Sequence, residues 1–259
     1  MGAVLKYWRE SASLILASKR LSAINKPKPN EGLMQRIKEF GKKKNVSPEP
    51  EDAELLRMLF VRRSAASSYM PNVYVFPGGM VDDSDFSKDW LEMFCYDSPQ
   101  ELFDLFTHRK AGSSIFARTR DPSFIVPSEI GLRVTAIRET FEESGILIAR
   151  TSEDLETHGT HEPGVPIKGS VFKMCKEDLQ KWRTKVVEDP SQFVNMCTDV
   201  GAVPDIWSLY EWSNWLTPLL HKTHRFDTAF FVSCIDEGPQ IEEDKRETDH
   251  GEVSPVYDL

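Results

Sequence analysis

Three glutamates near the end of one predicted helix have the clearest capacity for chemistry. Glu139, Glu142 and Glu143 follow Arg138 in the run Arg-Glu-Thr-Phe-Glu-Glu-Ser-Gly. At about 100° per residue, the three carboxylates project from one side of a helix, opposite an apolar stripe. Hard carboxylate oxygens are the ligands that Mg²⁺ and Mn²⁺ prefer. The spacing therefore predicts a divalent-cation site.

The alternative interpretation is a solvated acidic face of an amphipathic helix. Like charges three and four residues apart repel by about 0.2–0.5 kcal/mol per pair. Glu142 and Glu143 also lie in the last turn before Gly145, where the helix dipole disfavours negative charge by about 0.3–1 kcal/mol each. Arg138 is the local residue that offsets these costs. A divalent cation would turn both into attractions.

Residues 138–146 resemble the C-terminal half of the Nudix box and match it at every fixed position. Phe76-Pro77-Gly78-Gly79 resembles the strand end and glycine pair that begin the same box. Gly79 and Arg138 are 59 residues apart (138 minus 79), which implies an insertion of about 45 residues within the box. A box split in this way is similar to that of the animal nudix-motif-19 group, which are acyl-coenzyme A diphosphatases.

The resemblance implies a role for each residue of the box. Glu139, Glu142, Glu143 and the carbonyl of Gly79 are implied ligands of Mg²⁺ or Mn²⁺. Glu139, Glu143 and Arg138 form the implied catalytic set, in which Glu139 also acts on the attacking water and Arg138 orients Glu139.

Other parts of the implied site are less defined. Gly78 and Gly79 are expected to let a phosphate approach the backbone, although an ordinary turn is the alternative. The upstream glutamate of the box has no clear register, and Glu129 is the nearest candidate. A further glutamate completes the site in many relatives, and several in the acidic tail are available: Glu242, Glu243, Glu247 and Glu252.

Substrate-binding candidates lie outside the box. Arg63 falls where some relatives that recognise coenzyme A carry an arginine, in a motif that is half present here. An arginine binds phosphate bidentately, although a solvated side chain is the alternative. Trp215 or Trp212 is expected to stack on adenine, with Arg225 near a phosphate. The alternative is that both tryptophans belong to the core, which is the commoner location for this residue type.

The elements that would position these residues alternate along the chain. Strands are predicted at 11–18, 54–62, 73–76, 146–149, 209–216 and 227–235, with helices at 134–144 and 172–188. No Gly-x-Gly-x-x-Gly or Walker loop is present. This order predicts an α/β (α+β) fold, and the resemblance implies a Nudix-type α/β/α sandwich with a mixed sheet.

The domain organisation is predicted to be one domain over residues 1–259. Residues 26–52, with four prolines and a lysine run, are expected to be a flexible insertion. Residues 82–127 are the insertion within the box. Residues 237–259 are expected to be irregular, as in a truncated form that lacks a C-terminal helix.

Composition excludes several classes of protein. The 259 residues carry 32 Lys and Arg against 41 Asp and Glu, a net charge of −9, which disfavours a general affinity for nucleic acid or anionic membranes. No apolar run approaches the roughly 18 residues of a membrane helix. Four widely separated cysteines argue against a disulfide framework or zinc ribbon and for a reducing compartment.

Two functional hypotheses follow. The first is an enzyme that cleaves coenzyme A or acyl-coenzyme A, a small nucleotide, into 3′,5′-ADP and (acyl-)4′-phosphopantetheine, with NADH, ADP-ribose and capped RNA as alternative substrates. The second is a catalytically weak Nudix fold that acts as a binding module. The resemblance implies a peroxisomal protein, whereas Tyr257-Asp258-Leu259 lacks a standard peroxisomal signal and leaves cytoplasm or mitochondria open. The oligomeric state is open.

Overall fold

The structure is a computed structural model that describes residues 8–21, 57–65, 67, 70–95, 115–116, 118, 126–154, 167–218, 225–238 and 248–255. The predicted flexible insertion at 26–52 lies outside these ranges. Of the predicted insertion at 82–127, the described residues are 82–95, 115, 116, 118, 126 and 127. Its extent therefore stays a prediction.

A mixed seven-stranded sheet forms the centre of the fold. Its strands are β1 (Trp8–Leu21), β2 (Arg57–Arg63), β3 (Tyr74–Val75), β4 (Gly78–Met80), β8 (Tyr210–Leu216), β9 (Arg225–Gly238) and β10 (Thr248–Pro255). The order is β10-β2-β1-β9-β8, with β3 beside β2 and β4 beside β1. The β1–β9 pair is parallel, and the other pairs are antiparallel.

A smaller sheet and four helices complete the described fold. The small sheet has the order β6-β5-β7, built from Val171–Phe172, Leu147–Thr151 and Ala202–Pro204. The helices are α1 (Asp89–Met93), α2 (Ser128–Ser144), α3 (Lys176–Glu188) and α4 (Gln192–Val200), with 3₁₀ turns at Asp83–Phe86 and Ile206–Ser208. No helix in these described ranges combines the length and apolarity needed to span a membrane.

Helix α2 is the central helix and packs on one face of the main sheet. The guanidinium of Arg133 lies 5.0 Å from the ring centroid of Phe231, and Phe231 is paired with Leu14 of β1. All residues of α2 are buried. It ends at Gly145, whose φ of 74° is the left-handed conformation that glycine adopts at helix ends.

The predicted elements agree with the observed ones apart from their ends. The α+β class and the mixed sheet are confirmed, and α2 begins six residues before the predicted start at Val134. The expectation of irregular structure at 237–259 is wrong over Thr248–Pro255, which pairs with β2 along its length. This segment lacks the apolar alternation that identifies a buried strand, and main-chain hydrogen bonds at the sheet edge hold it in place.

Candidate active site

The Pro77-Gly78-Gly79 bend is attached to β1 by several hydrogen bonds. The carbonyl of Pro77 accepts from the backbone N–H of Leu14 and from the hydroxyl of Ser13, both at 2.9 Å. The next residues form β4, in which Gly79 is opposite Ala12. The bend is therefore held rigidly at the middle of the main sheet.

Other groups approach both glycines of the bend closely, the backbone of β1 at Gly78 and a side chain at Gly79. A Cβ on Gly78 would lie 2.4 Å from the carbonyl oxygen of Ala12. A Cβ on Gly79 would lie 2.3 Å from Oε2 of Glu139 and 2.4 Å from its Cδ. The carboxylate of Glu139 therefore lies directly against the backbone of Gly79.

Replacing Gly79 by alanine is expected to displace the Glu139 carboxylate and to lower the free energy of unfolding by about 1–3 kcal/mol, the usual cost of overpacking. Urea denaturation measures the loss. Gly79 does not have the left-handed φ that Gly201 has, so the loss at Gly79 comes from the contact with Glu139 and not from backbone strain. An unchanged free energy of unfolding in Gly79→Ala would contradict the close contact.

Arg138 is the hub of the carboxylate cluster. Its Nη1 donates to Glu139 Oε1 at 2.9 Å and to Glu142 Oε1 at 2.6 Å. Its Nε and Nη2 donate to the two oxygens of Asp85 at 2.8 and 3.0 Å. The Nη2 group also donates to the carbonyl of Met80, directly after the glycine pair. The predicted contact between Arg138 and Glu139 is present.

Asp85 is the acidic partner of Arg138 that sequence reasoning missed. It is 1 % exposed and also accepts from Thr135 of α2 at 2.8 Å. Glu129, the candidate from the sequence, instead offers its carbonyl to Arg133 at the other end of α2. The sequence carries a partial signal, since Asp82, Asp83 and Asp85 follow the glycine pair closely, but burial is what distinguishes Asp85.

The three glutamates are buried rather than solvated. Glu139, Glu142 and Glu143 are 8 %, 8 % and 6 % exposed, which rules out the solvated acidic face. Oε2 of Glu143 accepts from the backbone N–H of Gly78 at 3.0 Å. Glu139 lies against Gly79, and Arg138 links Glu142 to Glu139. Two of the three carboxylates therefore contact the glycine bend, and the third is linked to them through Arg138.

The electrostatics of the cluster are dominated by burial and by an excess of negative charge. Burial raises the pKa of Glu139 to about 8, with Glu142 and Asp85 adding to the shift and Arg138 opposing it. Burial lowers the pKa of Arg138, but the attraction of Asp85, Glu139 and Glu142 outweighs it, so that this pKa is raised. With Arg138 and all four carboxylates ionised, Glu143 included, the cluster has a formal charge of −3, and with Glu139 protonated the charge is −2.

This donor set fits a divalent cation in charge and in chemistry, because hard oxygens and excess negative charge suit such an ion. In the described part of the chain, no three His, Cys, Asp or Glu side chains are already arranged as a ligand cluster. Arg138 and the Gly78 amide hold the carboxylates in their present positions.

Arg183 stabilises the end of α2 that carries the glutamates. Its Nε donates to the carbonyl of Glu142 at 2.7 Å. The backbone N–H of Ile146 donates a hydrogen bond to the hydroxyl of Ser144. A cation at a helix C-terminus offsets the dipole cost expected for Glu142 and Glu143. Arg183 lies on α3, 41 residues after Glu142, so this contact could not be predicted from the residues around α2.

Of the predicted substrate-binding residues, Gly78 and Gly79 contact the glutamates, whereas Arg63, Trp215 and Arg225 have no contact with them among the described residues. Arg63, at the end of β2, donates from Nη2 to the hydroxyl of Ser67 at 3.0 Å. Trp215 contacts Phe230. Phe230 precedes Phe231 in β9, and because side chains alternate along a strand, Phe230 lies on the sheet face away from α2. Trp215 therefore lies on that face too. The structure does not bring Trp215 together with the glutamates.

The two tryptophans of β8 are on the surface. Trp212 and Trp215 are 69 % and 67 % exposed, so the alternative of core positions is wrong for both. Arg225, at the start of β9, is opposite Trp8 in the parallel β1–β9 pair. Roles in substrate binding for Arg63, Trp215 and Arg225 stay predictions.

Comparisons with known proteins agree on one family. The family model described as the NUDT19 Nudix domain matches residues 8–256. The chain is 38 % identical over 253 residues to "Acyl-coenzyme A diphosphatase NUDT19" of Xenopus laevis, covering 95 % of this chain and 62 % of that protein. The Homo sapiens protein of the same name is 32 % identical over 255 residues, covering 93 % and 59 %. The chain thus spans about three fifths of the length of these relatives.

A solved structure supports the same fold. The crystal structure of a NUDIX hydrolase from Alicyclobacillus acidocaldarius aligns with a TM-score of 0.55 at 20 % sequence identity, covering 97 % of this chain and 80 % of that chain.

Proposed function

The chain belongs to the NUDT19 Nudix domain family, and from that premise we propose that it hydrolyses the diphosphate bond of coenzyme A or acyl-coenzyme A. The products would be 3′,5′-ADP and (acyl-)4′-phosphopantetheine. The observation that carries the proposal is the contact of Glu143 and Glu139 with the Gly78-Gly79 bend, with Glu142 linked to Glu139 through Arg138. The name of the relatives supports the choice of substrate.

Nudix proteins generally use divalent metal ions, and the residues that would hold one here are Glu139, Glu142, Glu143 and the carbonyl of Gly79. We propose Mg²⁺ or Mn²⁺ as the ion, because all the donors are hard oxygens. When bound, such an ion neutralises charge on the phosphate oxygens.

The residues of the chain contribute positioning and proton transfer. The glycine pair leaves the backbone bare, so that a phosphate can approach it closely. Arg138 fixes the orientation of Glu139 through the Nη1 bond. Burial raises the pKa of Glu139 to about 8, which makes its ionised form a stronger base toward an attacking water than an ordinary carboxylate.

Asp85 and Arg183 position the groups that react. Asp85 holds Arg138 by two parallel bonds, a geometry that fixes a guanidinium plane. Arg183 holds the last turn of the helix. Phosphoryl transfer depends mainly on positioning and on electrostatic stabilisation. The rigid support of the cluster therefore favours an enzyme over a binding module.

Incubation of the purified protein with Mg²⁺ or Mn²⁺ tests the proposal. We expect coenzyme A and acyl-coenzyme A to be cleaved with a higher kcat/KM than NADH, ADP-ribose or capped RNA, and the activity to disappear with EDTA and return with the ion. Mass spectrometry identifies the products. Preferred cleavage of another nucleotide would reassign the substrate, and binding without turnover would indicate a binding module. Peroxisomal location, implied by the resemblance, stays a prediction.

A further inference from the structure

A tryptophan and an arginine form a stacked pair where β1 and β9 begin. Trp8 and Arg225 are directly opposite each other in the parallel register. The guanidinium carbon of Arg225 lies 4.2 Å from the centroid of the Trp8 ring. Stacking on an aromatic ring holds a guanidinium flat and leaves its N–H groups directed outward in the plane.

This pair contains buried hydrogen-bond donors that lack partners. Nε1 of Trp8 and both Nε and Nη2 of Arg225 are buried and have no hydrogen-bond partner in the part of the chain that the structure describes. Buried polar groups without partners are uncommon and point to an ion or water at the site. All three groups donate and none accepts. The missing partner is therefore an acceptor, and the positive charge of Arg225 favours an anion.

The nearest carboxylates on these strands do not supply that anion. Glu10 and Asp227 lie two residues further along β1 and β9 and are directly opposite each other. Both are bonded to Arg118, Asp227 at 2.7 Å. Arg225 has no ion pair with any described residue. Its charge is therefore available for a ligand.

The pair lies on the same side of the sheet as the carboxylate cluster. Arg225 is six residues before Phe231, so alternation places both side chains on the face that α2 covers. Trp8 is four residues before Ala12, which is opposite Gly79. At about 3.3 Å per residue, the pair is about 13 Å from the glycine bend along β1. One nucleotide together with the length of an arginine side chain can bridge this distance between the glycine bend and the pair.

We propose that Trp8 and Arg225 bind the 3′-phosphate on the ribose of coenzyme A and so select coenzyme A over nucleotides that lack this group. The inference rests on the proposed function, in which the diphosphate lies at the glutamates and the glycine bend. Coenzyme A carries its remaining phosphate on the adjoining ribose. A flat arginine fork binds two phosphate oxygens at once, and the indole N–H adds a third donor.

The test compares coenzyme A with 3′-dephospho-coenzyme A as substrates, and 3′,5′-ADP with 5′-AMP as ligands by isothermal titration calorimetry. Wild type is expected to favour the 3′-phosphorylated member of each pair about 10- to 100-fold, the range for one or two charge-assisted hydrogen bonds. Arg225→Met is expected to reduce both ratios to near one by weakening only the 3′-phosphorylated compounds. Arg225→Lys keeps the charge but lacks the two-pronged guanidinium. Its two ratios are expected to lie between those of wild type and those of Arg225→Met.

Arg9→Met is the matched control, because Arg9 adjoins Trp8 on β1 but is exposed and directed toward the sulfur of Met80. It removes the same charge and is expected to keep both ratios. Trp8→Phe keeps the ring, loses one donor and provides a second test if Arg225→Met does not fold.

The outcomes separate this inference from the proposed function. The inference is overturned if wild type uses coenzyme A and 3′-dephospho-coenzyme A equally and binds 3′,5′-ADP and 5′-AMP equally. Equal use of the two coenzymes overturns it even if inorganic phosphate binds at Arg225. A strong preference for 3′,5′-ADP that depends on Arg225, without hydrolysis of either coenzyme, supports the inference and overturns only the proposed activity.

Discussion

Replacing Glu143 by glutamine is expected to lower kcat for coenzyme A hydrolysis by about 10²–10³-fold, the usual effect of removing one electrostatic contributor. Glutamine keeps the shape of the side chain, and its carbonyl oxygen can still accept from the Gly78 amide. The variant therefore changes the charge of the cluster and leaves the bend attached. Steady-state kinetics over a range of Mg²⁺ or Mn²⁺ concentrations measures the loss.

Stability distinguishes a functional role from a structural one in this variant. Removing a buried negative charge from a cluster with excess negative charge is expected to leave the free energy of unfolding unchanged or to raise it. Glu177→Gln, on the exposed side of α3, is the control for the same chemical change. Wild-type kcat in Glu143→Gln would exclude Glu143 from the site.

Replacing Arg138 by methionine is expected to lower the free energy of unfolding by about 3–5 kcal/mol, the cost of leaving buried charges without their partner. Arg138 is almost fully buried and bonds Asp85, Glu139 and Glu142. Urea denaturation measures the loss. The control is Lys168→Met, which removes one member of an exposed ion pair with Asp236 and is expected to cost at most about 1 kcal/mol.

The loss in Arg138→Met is expected to depend on pH in a defined direction. In the wild type, Arg138 lowers the pKa of Glu139, which burial raises to about 8 from the ordinary 4.5, and the variant raises it further. A carboxyl whose pKa is higher in the folded than in the unfolded state destabilises the fold as pH rises between the two values. Both folded proteins keep Glu139 protonated below about pH 8, so the loss is expected to be the same at pH 5 and pH 7 and to grow only above pH 8, where the wild-type carboxyl ionises and that of the variant does not. A loss independent of pH would contradict this electrostatic explanation.

Much of the fold and half of the site could be predicted from the sequence. Strands β1, β2, β8 and β9 are apolar or alternating, and α2 has both a helical pattern and a terminal glycine, so local periodicity defined them. The spacing of Glu139, Glu142 and Glu143 placed them on one side of a helix, and the dipole cost indicated an unusual environment. The structure supplies the reason, which is burial against the glycine bend.

Contacts between distant segments could not be predicted. Asp85 pairs with Arg138 across 53 residues, and Arg183 reaches Glu142 across 41. Neither partner belongs to a periodic pattern that marks it. Strand β10 also escaped prediction, because an edge strand is held by main-chain hydrogen bonds, which depend little on side-chain type. Trp215 was assigned by residue type alone, and the structure places it on the other face of the sheet.

The parallel pairing of β1 with β9 has a consequence for biosynthesis. Ser11 and Thr228, directly opposite in that register, are 217 positions apart in the chain. The central apolar strand therefore leaves the ribosome long before its neighbour is translated. Such a high contact order makes folding slow and leaves apolar segments open to aggregation. We expect nascent chains of this protein to depend on chaperones until β9 has emerged.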